Sequence, residues 1–121
     1  MRKLVIASLI ALTASTSAYA QSNSAGVVQT GGFNAATVGQ SGTVNAGAIS
    51  QLGLVNSGTV SQSGIFNNAG VAQTGVHNAA GVSQVGVFNG GAILQDATAN
   101  GSNAALCAQG GLMNNCVVGQ Q

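Results

Sequence analysis

The chain has 121 residues, and its side chains include only two Lys or Arg, one Asp or Glu and one His. Binding to nucleic acid and insertion of a basic amphipathic helix into a membrane surface both need Lys and Arg, so neither is expected. Ordinary disorder is also disfavoured, because disordered chains have high net charge and few apolar residues, whereas 45% of this chain is hydrophobic.

Residues 1–20 have the features of a secretory signal peptide. Met1–Lys3 is positively charged, Leu4–Leu12 is apolar, and Ala18–Ala20 is a small-x-small cleavage site. A transmembrane anchor would need about 20 apolar residues, and this run ends at Thr13. The sequence therefore predicts Sec-dependent export, cleavage before Gln21 and no membrane span in the mature chain.

From residue 23 to residue 95 the sequence repeats every eleven residues, as Asn-x-Ala/Gly-x-Val/Ile-x-Gln-x-Gly-x-Phe/Val. The repeated amides, which we expect to form ladders that carry assembly, are Asn23, Gln29, Asn34, Gln40, Asn45, Gln51, Asn56, Gln62, Asn67, Gln73, Asn78, Gln84, Asn89 and Gln95. The predicted turn glycines are Gly31, Gly42, Gly53, Gly64, Gly75 and Gly86. A strict short period is typical of a solenoid, whose units bury a core only by stacking.

Within each unit the similar residues occupy alternate positions, which predicts one strand from Asn to Gln with these four side chains on one face. The predicted bend is four residues, such as Gly31–Asn34, that begin with glycine, which tolerates the positive φ of a bend. Two units make a closed rung of 22 residues, and we expect rungs to begin near Asn23, Asn45, Asn67 and Asn89 and to stack about 4.8 Å apart. The predicted fold class is therefore all-β, a cross-β solenoid, with the buried amides paired in ladders along the axis.

The last part of the chain departs from the pattern. Regular repeats cover residues 23–99, residues 100–102 are inserted, and residues 103–121 form degenerate repeats of the solenoid domain that spans 21–121. Cys107 and Cys116 fall on inward positions, where they either form a disulfide in an oxidising compartment or serve as two small core residues.

Catalysis is not expected, because glycosidases need two carboxylates and hydrolytic triads need a His with an orienting acid. The chain offers only Asp96 and His77. His77 and the aromatic residues Phe33, Phe66 and Phe88 occupy the last position of their units, and we interpret them as side chains that fill the bends. We therefore predict no catalytic residues, no cofactor and no metal site.

The unit Asn23-x5-Gln29-x-Gly31-x-Phe33-Asn34-x-Ala36-x3-Gln40 resembles the curlin repeat, Ser-x5-Gln-x-Gly-x-Gly-Asn-x-Ala-x3-Gln, of the bacterial curli fibre subunits. The resemblance implies a secreted subunit of an extracellular functional amyloid, a fimbrium on the cell surface that supports biofilm and cell adhesion. It also implies self-association, with a second curlin subunit and an outer-membrane secretion pore as further partners.

The chain differs from the family pattern in having Asn for Ser at the start of its rungs and Phe for the second Gly. Its repeats also begin directly after the predicted cleavage site, with no room for the segment that addresses the family's major subunit to the pore. The alternative function is that of a soluble β-solenoid that binds an extended surface such as ice or a polysaccharide.

Overall fold

A computed structural model describes residues 11–16, 22–97 and 101–121 of the chain. The predicted positive region, the predicted cleavage site and Asn100 of the predicted insertion lie outside the described residues.

Ten β-strands make up the regular secondary structure of the described residues. In chain order they are β1 (Ala11–Thr16), β2 (Ser24–Gly32), β3 (Ala35–Thr43), β4 (Ala46–Leu54), β5 (Ser57–Ile65), β6 (Asn68–Val76), β7 (Asn78–Val87), β8 (Gly90–Ala97), β9 (Asn103–Leu112) and β10 (Asn115–Gln120).

The strands alternate between two parallel sheets, so each strand pairs with the strand two places further along the chain. Sheet A has the order β1-β3-β5-β7-β9, and sheet B has the order β2-β4-β6-β8-β10. From β2 to β8 the paired residues are 22 apart, as in Val38 with Val60 and Ile49 with Val71. One rung is thus two units, which confirms the predicted β-solenoid.

The core lies between the two sheets because alternate side chains of every strand point inward. Val38, Val60 and Val82 from sheet A pack with the branched residues of sheet B in one continuous cluster. The space between the sheets is narrow: a Cβ added at Gly58 would lie 2.9 Å from Ile49 Cγ2. The inward position that Gly58 occupies therefore holds only Ala or Gly in every regular repeat. A larger side chain there would force the two sheets apart.

The strands are longer than the sequence predicted. A typical one, β5, begins after its Asn and runs nine residues to Ile65, past the predicted end at Gln62. The prediction of a four-residue bend is wrong because Gly64, at φ 123°, turns the chain while the ladder continues through it. The true bend is two residues, Phe66 and Asn67.

The register changes once, between β8 and β9. Val82 pairs with Cys107 and Ile93 pairs with Val118, so the offset rises from 22 to 25 residues. Three extra residues account for the change. Both sheets continue across it, since the extra length lies between strands.

At the other end, β1 lies within the predicted signal peptide. It pairs in parallel with β3, from Ala11 with Ala35 to Thr16 with Gln40. Cleavage before Gln21 would remove β1 and leave β3 as the first strand of sheet A. Among the described residues, no helix has the length and apolar character needed to span a membrane.

Candidate assembly site: the amide columns and the end faces

The predicted glutamines form one column in each sheet, and every link runs in the same direction. In sheet A, Gln40 Nε2 donates to Gln62 Oε1 at 2.7 Å, and Gln62 Nε2 donates to Gln84 Oε1 at 2.9 Å. In sheet B, Gln51 Nε2 donates to Gln73 Oε1 at 2.6 Å. The Gln columns therefore donate towards the C-terminal end of the solenoid.

Several of these amides make a second bond that crosses the core. Gln40 Nε2 donates to the Ser24 carbonyl oxygen at 2.9 Å, and Gln84 Nε2 donates to the Asn68 carbonyl oxygen at 3.0 Å. Both carbonyls belong to strands of sheet B. The Gln side chains thus connect neighbouring rungs and also tie the two sheets together.

The asparagines form two further columns, and these donate in the opposite direction. Asn67 Nδ2 donates to Asn45 Oδ1 at 3.1 Å, and Asn45 Oδ1 also accepts the backbone N–H of Asn67 at 3.1 Å. Asn67 Nδ2 donates in addition to the carbonyl of Ser63, at 3.2 Å. Each such Asn therefore holds its own bend closed and fixes the backbone of the neighbouring rung.

The structure brings all fourteen predicted amides into these four columns. Twelve of them are at most 5% exposed, whereas Asn23 and Gln29 lie at the N-terminal edge and are half-buried. Burying an unpaired amide costs a few kcal/mol, and a paired one contributes about 1 kcal/mol net. Paired stacking is what makes a polar core compatible with this fold.

The degenerate tail extends the columns at positions that the spacing of Asn and Gln in the sequence indicates. Gln109 and Gln120 accept from Gln84 and Gln95, each at 2.8 Å, and extend both Gln columns. The Gln spacing, once corrected for three inserted residues, was the signal for them. One link is missing: Asn78 Oδ1 and Asn103 Nδ2, on either side of the register change, have no partner in the described residues.

Both ends of the solenoid carry buried amide atoms without a hydrogen-bond partner in the described residues. At the N-terminal face, Gln29 Oε1 and Gln40 Oε1 have no donor, and Asn23 Nδ2 has no acceptor within the described part of the chain. At the C-terminal face, Gln109 Nε2 has no acceptor. The faces are complementary, because the Gln acceptors of one match the Gln donors of the other.

All six predicted turn glycines have positive φ, between 103° and 131°. The stacking of rungs makes a second demand, since a Cβ on Gly42 would collide with the carbonyl oxygen of Gly64 directly along the axis. Both the positive φ and the nearby carbonyl of the next rung therefore exclude a side chain at these glycines.

A second positive-φ position in each bend was missed. Val44 and Phe66 have φ 56°, and His77 has φ 62°, values that β-branched and bulky residues rarely adopt. The prediction that these side chains fill the bends is wrong: Phe33 is 73% exposed and Phe88 is 55% exposed. The left-handed backbone directs them outward, and the rings of Phe66 and Phe88 stack with centroids 5.1 Å apart.

The two cysteines are joined by a disulfide. Their Cα atoms are 6.3 Å apart, and they lie opposite Val82 and Gly91 in the branched and small columns. The bond connects β9 of sheet A to β10 of sheet B. The sequence left open a disulfide or two small core residues, and the structure contains the disulfide, which joins the last two strands.

In the part of the chain that the structure describes, no group of three or more His, Cys, Asp or Glu side chains is placed to hold a metal ion. The chemistry available at this site is hydrogen bonding by backbone and amide groups, which suits association rather than reaction.

Comparison with known protein families gives a match to part of the chain. Residues 56–86, which include β5, β6 and most of β7, match the family described as "Curlin associated repeat". No curated protein and no solved structure matches the chain. The match shows a curlin-associated repeat over residues 56–86, and the same eleven-residue unit recurs in register along the solenoid from Asn23 to Gln95.

Proposed function

We propose that the mature chain is a secreted structural subunit of an extracellular, curli-like amyloid fibre, in which copies associate end to end. The observation that carries this proposal is the complementarity of the end faces. Unpaired Gln oxygens lie at the N-terminal face, and the unpaired Nε2 of Gln109 lies at the C-terminal face. Another copy supplies the missing partner at each face.

The polarity of the columns also gives the direction of association. Two N-terminal faces would bring Gln oxygens against Gln oxygens, so acceptors would meet acceptors. A C-terminal face on an N-terminal face pairs donors with acceptors and continues all four columns. Growth is therefore head to tail.

The backbone favours the same association. The outermost strands of a parallel solenoid present rows of unpaired N–H and C=O groups, which are templates for another chain. The sequence contains no Pro and, after removal of residues 1–20, no Lys or Arg to blunt such an edge. Each hydrogen bond formed at the joint contributes about 1 kcal/mol.

Proposed partners and location follow from the curlin-repeat family. The fibre is a homopolymer on the cell surface, exported after signal-peptide cleavage through an outer-membrane pore. A second curlin subunit joins it, and the fibre supports biofilm and adhesion. An enzymatic role and a cofactor form no part of this proposal.

The surface-binding alternative finds little support in the outer columns. An ice-binding solenoid presents regular rows of Thr, but the outward column through the middle of sheet A reads Thr37, Thr59, Gly81 and Leu106. A row that ends after two residues offers no repeating surface.

The experiment is seeded assembly of purified residues 21–121 at tens of micromolar. We expect fibres with a meridional reflection near 4.8 Å, the spacing of stacked strands, and we expect preformed fibres to abolish the lag phase. A mature protein that stays monomeric for days in the presence of seeds would refute the fibre-subunit function.

A further inference from the structure

We propose that consecutive chains in the fibre are related by half a turn about the fibre axis, so that sheet A of one chain continues as sheet B of the next. The inference rests on the proposed end-to-end assembly and assigns the geometry of its joint. The partner is a second copy of this chain.

The number of strands in the mature chain carries the inference. After removal of β1, the strands β2 to β10 number nine, with two strands per rung. In the described part of the mature chain, residues 22–97 and 101–121, these strands make four and a half rungs. Because each strand stacks on the strand two places before it, the position that follows β10 lies over β9, in sheet A.

The next chain starts with β2, which belongs to sheet B of its own solenoid. If β2 of the next chain stacked on β10, sheet B would continue as sheet B. The strand position over β9 in sheet A would then stay empty. If β3 instead stacked on β9, β2 would occupy the place of β10. A half turn avoids both problems, since β2 then stacks on β9 and β3 stacks on β10.

The repeat makes this exchange possible, because the same eleven-residue unit forms both sheets. Val27 of β2 and Val38 of β3 occupy equivalent positions in their pairing registers. A strand of sheet B can therefore continue sheet A with its Gln, Val and small columns in line.

The unpaired amides fit the half-turn joint. With β2 over β9, Gln29 Oε1 of one chain lies over Gln109 Nε2 of the preceding chain, and neither atom has a partner within its own described chain. The unpaired Asn23 Nδ2 is directed at Asn103 in the same joint. With β3 over β10, the unpaired Gln40 Oε1 continues the column that ends at Gln120.

The outer edge of β3 accepts a parallel strand in this register. In the unprocessed chain β1 pairs there, with Thr16 opposite Gln40. After cleavage the same edge is open, and in the half-turn joint the β10 of the preceding chain takes that place.

The surface of the fibre alternates as a consequence. The edge that carries the Phe66 and Phe88 ring stack in one chain lies in line with the edge that carries His77 in the next. Along each side of the fibre, the edge with the Phe66 and Phe88 rings alternates from chain to chain with the edge that carries His77. A ligand bound along one side therefore contacts both kinds of edge.

Cross-linking distinguishes the two joints. Ser24 of β2 is equivalent in register to Ala104 of β9 and to Asn115 of β10. Neighbouring strands are about 4.8 Å apart, within disulfide reach. We compare S24C/A104C with S24C/N115C, each in a background where Cys107→Val and Cys116→Ala remove the native thiols.

We expect fibres of S24C/A104C to give ladders of covalent multimers on oxidation and fibres of S24C/N115C to give few. The reverse result, or fibres in which neither pair cross-links, would overturn the half turn while leaving the fibre function intact. Absence of fibres from the unmodified mature chain would instead refute the fibre function.

The unmodified fibre provides a second measurement by helical reconstruction. The half-turn joint gives a rotation per chain of half a turn plus the accumulated sheet twist, and a rise of about 22 Å for four and a half rungs. A rotation that consists of sheet twist alone, with a rise of about 24 Å, would show like sheets joined across a gap and would contradict the proposal.

Discussion

Replacement of Gln62 tests the structural role of the amide columns. Gln62 is 2% exposed and lies in the middle of sheet A, where it accepts from Gln40 and donates to Gln84. Gln62→Ala removes two hydrogen bonds worth about 1 kcal/mol each and leaves Gln84 Oε1 buried without a donor, at a cost of about 1–3 kcal/mol. The emptied volume adds a further loss.

We therefore expect Gln62→Ala to lower the free energy that separates the assembled chain from the unfolded chain by about 4–7 kcal/mol, which includes the cost of the emptied volume. Gln62→Met keeps most of the side-chain volume but makes neither bond and leaves Gln84 Oε1 unpaired, so it should cost about 3–5 kcal/mol. Thr74→Ala, on the exposed outer face, should change it by less than about 0.5 kcal/mol.

The assay is dissolution of preformed fibres in urea, with the seeded assembly rate as a second readout. The order of stability should be Thr74→Ala, then Gln62→Met, then Gln62→Ala. Equal midpoints for Gln62→Ala and Thr74→Ala would mean that the buried columns do not stabilise the assembly. A harmless Gln62→Met beside a damaging Gln62→Ala would assign the effect to packing instead of hydrogen bonds.

Three further predictions concern the bends and the two ends of the chain. Gly64→Ala places a Cβ against the carbonyl of Gly86 in the next rung, at a residue with positive φ, and should prevent assembly. Gly70→Ala places its Cβ in open space and should assemble normally. Similar assembly of the two variants would show that the turn glycines are not required. Cys107 and Cys116 should give a mature chain about two daltons lighter than after reduction, and an unchanged mass would show free thiols. A chain that retains residues 1–20 should elongate seeds more slowly than the mature chain, because β1 occupies the edge of β3, and equal rates would contradict that block.

The sequence by itself determined the solenoid, its 22-residue rung and the inward face of each strand. The fold and the rung length follow from the eleven-residue repeat, because similar residues recur at the same places in every unit and stack in register. The inward face follows from the alternation of similar residues along each strand. The inward position of Gln62, for example, needs no information beyond the spacing of Gln and Val. The turn glycines were predictable for the same reason, since Gly64 and its equivalents follow each Gln at a fixed distance.

Tertiary structure decided what depends on contacts between rungs and between sheets. The strands continue through Gly64 because each glycine stacks against the next, which no single unit reveals. Phe66 lies outside its bend because its backbone is left-handed, although bulky residues normally avoid that conformation. The opposite polarities of the Gln and Asn columns arise from bonds between residues 22 apart. These polarities determine which atoms remain unpaired at each end, and hence how a second chain can join.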